Sequence, residues 1–322
     1  MKILITGATG LYGSYLARKF SENHEVFALK RKEQGFGLLA DFSERVQWRT
    51  GDILDPISIE EALEGIEMVI HAAGKVSFSA GDSDDLMTVN VRGTANVVNA
   101  MLSKGVSKII HVSSVSALGR TAEAKVSNED TKWVESDLNT PYAISKYQAE
   151  LEVWRGAMEG LQALVLSPTI ILGKLSDQRS STQMYNYVIE GSSYYPPGSV
   201  NYIDIRDAVE IAHSLFEKGL WGQKFILSCG AKPFKEFFAI MATALGKKAP
   251  HRPVSDFQLS IAIFFIGIAR ALGLSKNPLN RQTAMLSKLS VRMDNSKVQS
   301  ILNFSYRPLE ETFEWAFMNE KR

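Results

Sequence analysis

The feature that most constrains the fold is a glycine-rich turn near the start of the chain, T-G-A-T-G-L-Y-G over residues 6–13. It follows the apolar run 2–5 and precedes a segment of helical character, which predicts a strand, a tight turn and a helix. Gly7, Gly10 and Gly13 allow the sharp turn and the approach of a pyrophosphate to the amides at the helix N-terminus. The turn therefore predicts a dinucleotide site. The alternative is a turn that only joins strand to helix.

Short apolar runs alternate with amphipathic segments through the first two thirds of the chain. The runs predicted as buried strands are 3–5, 26–29, 46–48, 68–72, 109–112 and 164–167. The segments predicted as helices are 11–23, 57–63, 89–104 and 142–159. Continuous apolar strands alternating with helices are typical of a parallel sheet covered on both faces. The predicted fold is α/β, a doubly wound parallel sheet of the Rossmann type.

The pattern loosens after residue 168. Residues 1–168 are predicted to form the nucleotide-binding core, and 169–322 mainly a smaller C-terminal substrate-binding lobe with some segments returning to the core. The further predicted elements are a strand at 224–228 and helices at 234–245, 257–272 and 308–318. The helix at 257–272 is apolar nearly all round, so we expect it to be buried. Contact with a membrane surface and a portal for an apolar substrate are the alternatives.

Composition argues against several other classes of protein. The net charge of +1 creates no strong field for nucleic acid or an anionic membrane. The single cysteine, Cys229, cannot form an internal disulfide and fits a reducing compartment. The first strand leaves no room for a signal peptide, and the longest apolar stretch is shorter than the ~20 residues that span a bilayer. We expect a cytoplasmic protein with a small-molecule substrate, no nucleic acid and no stable membrane insertion. The histidines show no metal-ligand spacing, so no metal is predicted.

A second pattern, Y-A-I-S-K, lies far downstream of the glycine turn. It places Tyr142 and Lys146 four residues apart, on one face of a predicted helix. A free phenol has a pKa of about 10 and is a poor acid–base catalyst at neutral pH. A nearby ammonium group stabilises the phenolate and lowers that pKa. The pair therefore predicts a phenol that can act as an acid–base catalyst.

In this order, the two patterns resemble the extended short-chain dehydrogenase/reductase family, within the NAD-dependent epimerase/dehydratase superfamily and nearest to its dihydroflavonol reductase-like members. The resemblance is dense to about residue 210. It implies catalysis by Tyr142 and Lys146 together with a serine or threonine. Aligning Gly119 with the glycine that ends the family's S-S-x-x-x-h-G pattern selects Ser114 to orient the substrate oxygen. Ser113 and Ser116 are the alternatives, because either could satisfy backbone groups in a turn. Family members also form homodimers through a four-helix interface, so a homodimer is possible.

The resemblance also assigns residues to the cofactor. In chain order they are Gly7, Thr9, Gly10, Leu11, Tyr12, Arg31, Asp52, Ile53, Ala72, Ala73, Gly74, Tyr142, Lys146 and Pro168. Asp52 corresponds to the aspartate that contacts the adenine amino group. Three other motif residues are interpreted as structural: Asn90 as a hydrogen-bonding residue, His71 as packed or capping, and Asp207 as a helix cap.

The end of the second predicted strand bears on the choice between NAD and NADP. An acidic residue there binds the ribose hydroxyls of NAD, whereas a basic residue accommodates the 2′-phosphate of NADP. Lys30 stands where NAD-preferring relatives carry aspartate, and Arg31 where NADP-using relatives carry arginine. A planar guanidinium suits phosphate recognition. NADP is therefore predicted in preference to NAD; the alternative is a solvated basic turn.

The predicted function is an NADP-dependent oxidoreductase that transfers hydride between nicotinamide and a carbonyl or secondary alcohol. The apolar C-terminal helices and the tyrosines of 185–195 indicate an apolar or aromatic substrate. The alternatives are a nucleotide-sugar epimerase of the same fold and a non-catalytic NAD(P)-binding sensor. An epimerase needs basic residues for a nucleotide diphosphate, and between 170 and 202 only Lys174 and Arg179 are candidates. A sensor typically lacks the tyrosine or the lysine.

Overall fold

The computed structural model describes residues 1–121, 123–177, 182–271 and 279–318, without the side chains of residues 80 and 267–271. The strands are β1 (Lys2–Thr6), β2 (Glu25–Lys30), β3 (Gln47–Thr50), β4 (Met68–His71), β5 (Lys108–Val112), β6 (Val126–Ser127), β7 (Gln162–Pro168), β8 (Ile170–Leu172), β9 (Tyr194–Tyr195), β10 (Ser199–Asp204), β11 (Gln223–Leu227), β12 (Gly230–Pro233), β13 (Arg252–Pro253) and β14 (Arg292–Met293). The helices are α1 (Leu11–Phe20), α2 (Pro56–Ala62), α3 (Ser83–Leu86), α4 (Gly93–Lys104), α5 (Pro141–Met158), α6 (Thr182–Ile189), α7 (Ile205–Glu217), α8 (Phe234–Leu245), α9 (Asp256–Ala271), α10 (Arg281–Leu286), α11 (Ser296–Leu302) and α12 (Leu309–Ala316).

A seven-stranded parallel sheet forms the centre of the molecule, in the order β11-β7-β5-β4-β1-β2-β3. Its inner strands are buried on both faces. Ile3 and Ile5 of β1 pack with α1, α7 and α11, whereas Leu4 packs on the opposite face with α2, α4 and α5. This explains why the strands have continuous apolar sequences. The predicted α/β fold with a doubly wound parallel sheet is confirmed.

Most predicted strands and helices lie within a few residues of their observed bounds, with one notable difference at 89–104. The helix there begins earlier, with α3, and continues through a π-helical segment, Met87–Arg92, into α4. The π-helical segment contains Asn90, which is buried beside Gly74. π-Helical segments often occur at functional sites.

The C-terminal part of the chain contributes both to a separate lobe and to the main sheet. The lobe contains the three-stranded sheet β12-β10-β8 and a core shared by α6, α8 and α12. In contrast, β11 pairs with β7 at the edge of the main sheet, and α7 and α11 pack on its face. The lobe is therefore joined to the core at several points along the chain.

Helix α9 differs from its prediction. The predicted burial is wrong for the part that the structure describes, since Phe257, Phe264 and Phe265 are each more than half exposed. The predicted last residue, Leu272, lies outside the described residues. Sequence cannot reveal this exposure. A helix that is apolar all round has the same sequence pattern whether or not another element packs against it. Within the described ranges, every helix is too short or too polar to cross a membrane.

Candidate active site

A cavity of about 1160 Å³ opens where the carboxyl ends of β1 and β4 meet, at the point where the strand order reverses. Open α/β sheets bind ligands at such points. Every residue predicted for catalysis or for the cofactor lines this cavity: Gly7, Thr9, Gly10, Leu11, Tyr12, Arg31, Asp52, Ile53, Ala72, Ala73, Gly74, Ser114, Tyr142, Lys146 and Pro168. The fold thus brings together residues that are widely separated in the sequence.

The glycine turn forms the floor of the cavity. Gly7 has a φ of +70°, and a Cβ atom there would lie 2.5 Å from Ala73 N and 2.6 Å from the Ala72 carbonyl carbon. A Cβ on Gly13 would overlap the Gly7 carbonyl oxygen. The N-cap of α1 is Gly10, which has no side chain to cap the helix. The first amides of this helix are therefore available to an anion. These features fit the pyrophosphate of a dinucleotide.

The loop after β2 carries positive charge to the rim of the cavity. Lys30 Nζ donates to the Gln34 carbonyl oxygen at 3.1 Å, and Gln34 Nε2 donates to Thr9 Oγ1 at 2.7 Å. Arg31 is exposed. Within the described part of the chain, neither Lys30 nor Arg31 forms an ion pair. Both cations are therefore available to an anionic ligand.

Helix α5 supplies the tyrosine and the lysine. Its N-cap, Thr140, accepts a hydrogen bond from Ala143 N at 3.1 Å, and Pro141 occupies the first turn, where its missing N–H is not needed. Tyr142 and Lys146 are both buried one turn apart on the same face. Lys146 Nζ donates to the carbonyl oxygen of Val112, at the end of β5, at 2.8 Å. The helix thus holds the ammonium group against the sheet.

Glu150 continues this face by one more turn and was missed by the sequence analysis. It is buried, accepts a hydrogen bond from Ser113 Oγ at 2.7 Å and pairs with Lys224 of β11. Its charge also raises the pKa of Lys146, which opposes the larger effect of burial. The spacing of four residues after Lys146 was a signal that could have identified it.

The three serines after β5 have different partners. Ser113 donates to Glu150. Ser114 Oγ accepts from Ser116 N at 3.1 Å and lies close enough to the Tyr142 phenol to lower its pKa. Ser116 Oγ lies 3.3 Å from Arg120 Nη2. Of the three, Ser114 is the serine that meets the phenol.

The pKa of Tyr142 differs from the expectation. We predicted that Lys146 lowers the pKa of this phenol, but burial raises it. The hydrogen bond from Ser114 and the charge of Arg120 oppose that rise. Burial also lowers the pKa of Lys146 to about 8. Arg120, which the sequence analysis did not identify, is therefore a cation that acts on the phenol.

Two of the three predicted structural residues behave as expected. Asn90 Oδ1 accepts from Lys75 N at 2.7 Å, and its Nδ2 donates to Ser145 Oγ at 2.9 Å, which ties the π-helical segment to α5. His71 is fully buried, with Nδ1 2.7 Å from Thr6 Oγ1 and Nε2 3.0 Å from a second threonine hydroxyl. Burial lowers its pKa to about 3, so it is neutral at physiological pH.

The prediction for Asp207 is wrong. The N-cap of α7 is Asp204, whose carboxylate accepts from Arg206 N at 2.8 Å. Asp207 is fully buried in the first turn and accepts from Arg307 N at 2.9 Å, and it also pairs with the Arg307 guanidinium. Both aspartates lie near the start of the helix, so sequence alone does not distinguish a cap from a long-range partner.

The substrate end of the cavity is built by the lobe. Its apolar wall includes Met184, Phe234, Leu286, Leu289, Val291 and Met293. Of the tyrosines of 185–195, none lines the cavity among the described residues. Tyr185, for example, is fully buried and packs edge-on against two phenylalanine rings of the lobe core. The sequence analysis thus expected an apolar substrate site, but from residues other than those that form the apolar wall.

Lys174, one of the two basic residues considered for a nucleotide diphosphate, does not line the cavity. Lys174 Nζ lies 5.3 Å from the centre of the Trp315 ring. Arg179 lies outside the described residues.

A second group of polar side chains lies outside the cavity. The side chains of His24, His213 and Glu217 place one potential metal ligand each within 4.8 Å of one another. Burial lowers the pKa of both histidines, and neither Nε2 atom has a hydrogen-bond partner among the described residues. Imidazole and carboxylate groups are ligands for several metals. Sequence spacing could not reveal this group because α7 is far from residue 24 in the chain. The prediction of no metal stays a prediction.

Comparison with known proteins agrees with this arrangement. Residues 3–226 match the model of the NAD dependent epimerase/dehydratase family. The chain is 29% identical to sterol demethylase protein B of Methylococcus capsulatus, over 92% of this chain and 89% of the relative. It is 26% identical to cinnamoyl-CoA reductase 1 of Oryza sativa, over 67% of this chain and 68% of the relative. Relatives thus include reductases, and a 4-epimerase of Escherichia coli is also among them.

A solved structure extends the similarity to the whole fold. The crystal structure of gox2253 is 28% identical in sequence, with a TM-score of 0.84 over 99% of this chain and 98% of that one. The matched family, the relatives and the fold agree with the cavity lined by the glycine turn and the Tyr142–Lys146 pair. The chain therefore belongs to the NAD-dependent epimerase/dehydratase family and is an NAD(P)-dependent enzyme of the extended short-chain dehydrogenase/reductase type.

Proposed function

We propose that the protein is an NADP-dependent reductase or dehydrogenase acting on a carbonyl or secondary alcohol of an apolar small molecule. The observation that carries the proposal is the contact between the Tyr142 phenol and Ser114, one helical turn from Lys146 and on the wall of the cavity. Similarity to a cinnamoyl-CoA reductase supports a reduction, and the apolar wall that includes Met184, Phe234 and Leu286 supports an apolar substrate.

Each residue of the chain has a distinct task in this reaction. When bound, the nicotinamide cofactor supplies or accepts the hydride. In the reductive direction Tyr142 donates its proton to the carbonyl oxygen, and Ser114 donates a hydrogen bond that holds and polarises the same oxygen. Lys146 places a positive charge on the same helical face, which favours the phenolate that remains after proton donation.

The proposed preference for NADP is supported by the rim of the cavity. A 2′-phosphate there would meet Lys30 and Arg31, which form no ion pair within the described residues, and the guanidinium can bind it with two hydrogen bonds. We expect NADPH to bind at least about tenfold more tightly than NADH, and Arg31→Ala to remove most of that difference. Fluorescence titration with both coenzymes measures this. Equal affinities in the wild type would contradict the preference.

Turnover tests the reaction itself. NADPH oxidation is measured against a panel of apolar aldehydes and ketones with wild type and Tyr142→Phe. Loss of the acid catalyst is expected to lower kcat by about 10²–10⁴-fold with NADPH affinity unchanged. Tyr147→Phe is the matched control, because Tyr147 follows on the same helix, stacks on Trp133 and does not line the cavity. Equal oxidation in wild type and Tyr142→Phe would favour a non-catalytic NADP-binding sensor.

A further inference from the structure

An arginine that has no acidic partner among the described residues lies at the substrate end of the cavity. Arg120 follows Gly119, whose φ is +73°, and both residues line the cavity together with Tyr142. The main-chain N–H of Arg120 donates to Asn139 Oδ1 at 3.1 Å, and its Nη2 donates to Ser116 Oγ at 3.3 Å. These bonds fix the arginine to the cavity wall and leave most of its five N–H donors unused within the described part of the chain.

Two other arginines show how such a charge is usually satisfied in this protein. Like Arg120, Arg206 and Arg307 are partly shielded from water, and each pairs with a fully or almost fully buried aspartate. Arg120 forms no ion pair with any described residue, and burial lowers its pKa. Shielding a charge from water without a counterion is unfavourable. An anion bound in the cavity would offset that cost.

We propose that Arg120 binds a carboxylate of the substrate, so that the enzyme acts on an apolar oxo or hydroxy acid. The reaction itself rests on the proposed function above. Met184, Phe234 and Leu286 surround the rest of this end with apolar side chains, which suits the carbon skeleton of such an acid. A guanidinium, rather than an ammonium, matches a carboxylate with two parallel hydrogen bonds.

The same placement links substrate binding to the acid catalyst. Because the charge of Arg120 lowers the pKa of Tyr142, it favours loss of the phenolic proton. A carboxylate paired with Arg120 would offset that charge, so substrate binding and the acidity of the phenol are coupled through this arginine.

Binding tests the proposal without requiring turnover. C6–C12 alkanoates and the corresponding amides are titrated into protein saturated with NADP⁺, by isothermal calorimetry. In the wild type the best alkanoate is expected to bind at least tenfold more tightly than its amide, and Arg120→Met to abolish that difference. Arg281→Met is the control, because Arg281 is exposed on α10 and does not line the cavity. Arg120→Lys, which keeps the charge without the planar fork, is expected to retain part of the preference.

Unchanged NADP⁺ affinity in both Arg120 variants shows that they are folded. The proposal is overturned if wild type binds acids and amides equally, if it binds neither, or if Arg120→Met keeps the preference for the acid.

Turnover measurements distinguish the proposed carboxylate site from the proposed reaction. For oxo acids and their methyl esters, Arg120→Met is expected to lower kcat/KM for the acid at least 100-fold and for the ester less than threefold. Equal losses for acid and ester would assign Arg120 to proton transfer or folding and overturn the carboxylate site. Full turnover by Tyr142→Phe would instead refute the proposed reaction, while a preference for acids in the binding experiment would stand.

Discussion

The two ends of the cavity are built in different ways. At the cofactor end, several lining segments directly follow strands of the main sheet, as Gly7 follows β1 and Ala72 follows β4. At the substrate end, the wall is assembled from Met184, Phe234 and Leu286, which come from three separate helices of the C-terminal half. Backbone requirements of single turns therefore determine the first end, and tertiary packing determines the second. The predictions below test that distinction.

The largest effect is expected at the cofactor end, from Gly7→Ala. The added Cβ would overlap the backbone of Ala72 and Ala73, and a positive φ costs an L-residue roughly 1–2 kcal/mol in addition. We expect the free energy of unfolding to fall by about 3–5 kcal/mol and NADPH affinity to fall on the order of 100-fold. Gly105→Ala is the control, since Gly105 has a φ of +71° and a Cβ added there would meet no described atom within 4 Å. If both variants bind NADPH like wild type, the turn is less constrained than its geometry indicates.

The cofactor end could be predicted because its requirements are local. A glycine with positive φ, an apolar strand buried on both faces and a capped helix each leave a signal within a few residues. The order of Gly7, Ser114, Tyr142 and Lys146 along the chain then indicated one site, and the fold gathers these residues around one cavity.

The substrate end could not be predicted because its residues depend on distant partners. The same dependence operates elsewhere in the C-terminal half, where Asp204 caps α7 and Asp207 instead pairs with Arg307, about a hundred residues later. Likewise, Tyr185 faces the lobe core rather than the cavity because α12 packs against it. Arg120 becomes notable only once the absence of an acidic neighbour among the described residues is known.

The next largest effect is expected where the C-terminal segment is tied to the core. Asp207→Asn leaves the Arg307 guanidinium without its buried carboxylate, which is expected to lower the free energy of unfolding by about 3–5 kcal/mol. Glu210→Gln removes a more exposed partner of the same guanidinium, 3.0 Å away, and is expected to cost less than about 1 kcal/mol. Urea denaturation measures both. Equal effects would mean that the C-terminal segment is not held through the buried pair.

Lys146 lies between the two ends, and its burial gives a pH-dependent prediction. Its pKa is about 8 in the folded protein against 10.5 for the exposed side chain, so the unfolded chain binds the proton more tightly. Folding is therefore penalised by about 3 kcal/mol below pH 8, and the penalty disappears as pH rises towards 10.5. Lys146→Met is expected to be the more stable protein at pH 7, by about 2–3 kcal/mol, but inactive, and to match wild type near pH 10.5.

Urea denaturation of wild type and Lys146→Met at several pH values from 7 to 10.5 measures this difference. Lys104→Met, on the exposed end of α4, is the control and is expected to stay within about 0.5 kcal/mol of wild type throughout. A difference between wild type and Lys146→Met that does not change with pH would show that the ammonium group is solvated in the folded state.

The smallest effect is expected on α9, the helix of the C-terminal half whose predicted burial was wrong. Phe264 and Phe265 are 62% and 63% exposed, so the double change Phe264→Ser and Phe265→Ser is expected to alter the free energy of unfolding by less than about 0.5 kcal/mol. Phe237→Ala, at a fully buried ring of the lobe core, is expected to cost about 3–5 kcal/mol in the same assay. Because neither exposed ring lines the cavity, NADPH affinity is also expected to stay unchanged. A cost for the double variant close to that of Phe237→Ala would mean that α9 packs against an apolar surface in solution, and the burial predicted from its sequence would then be right.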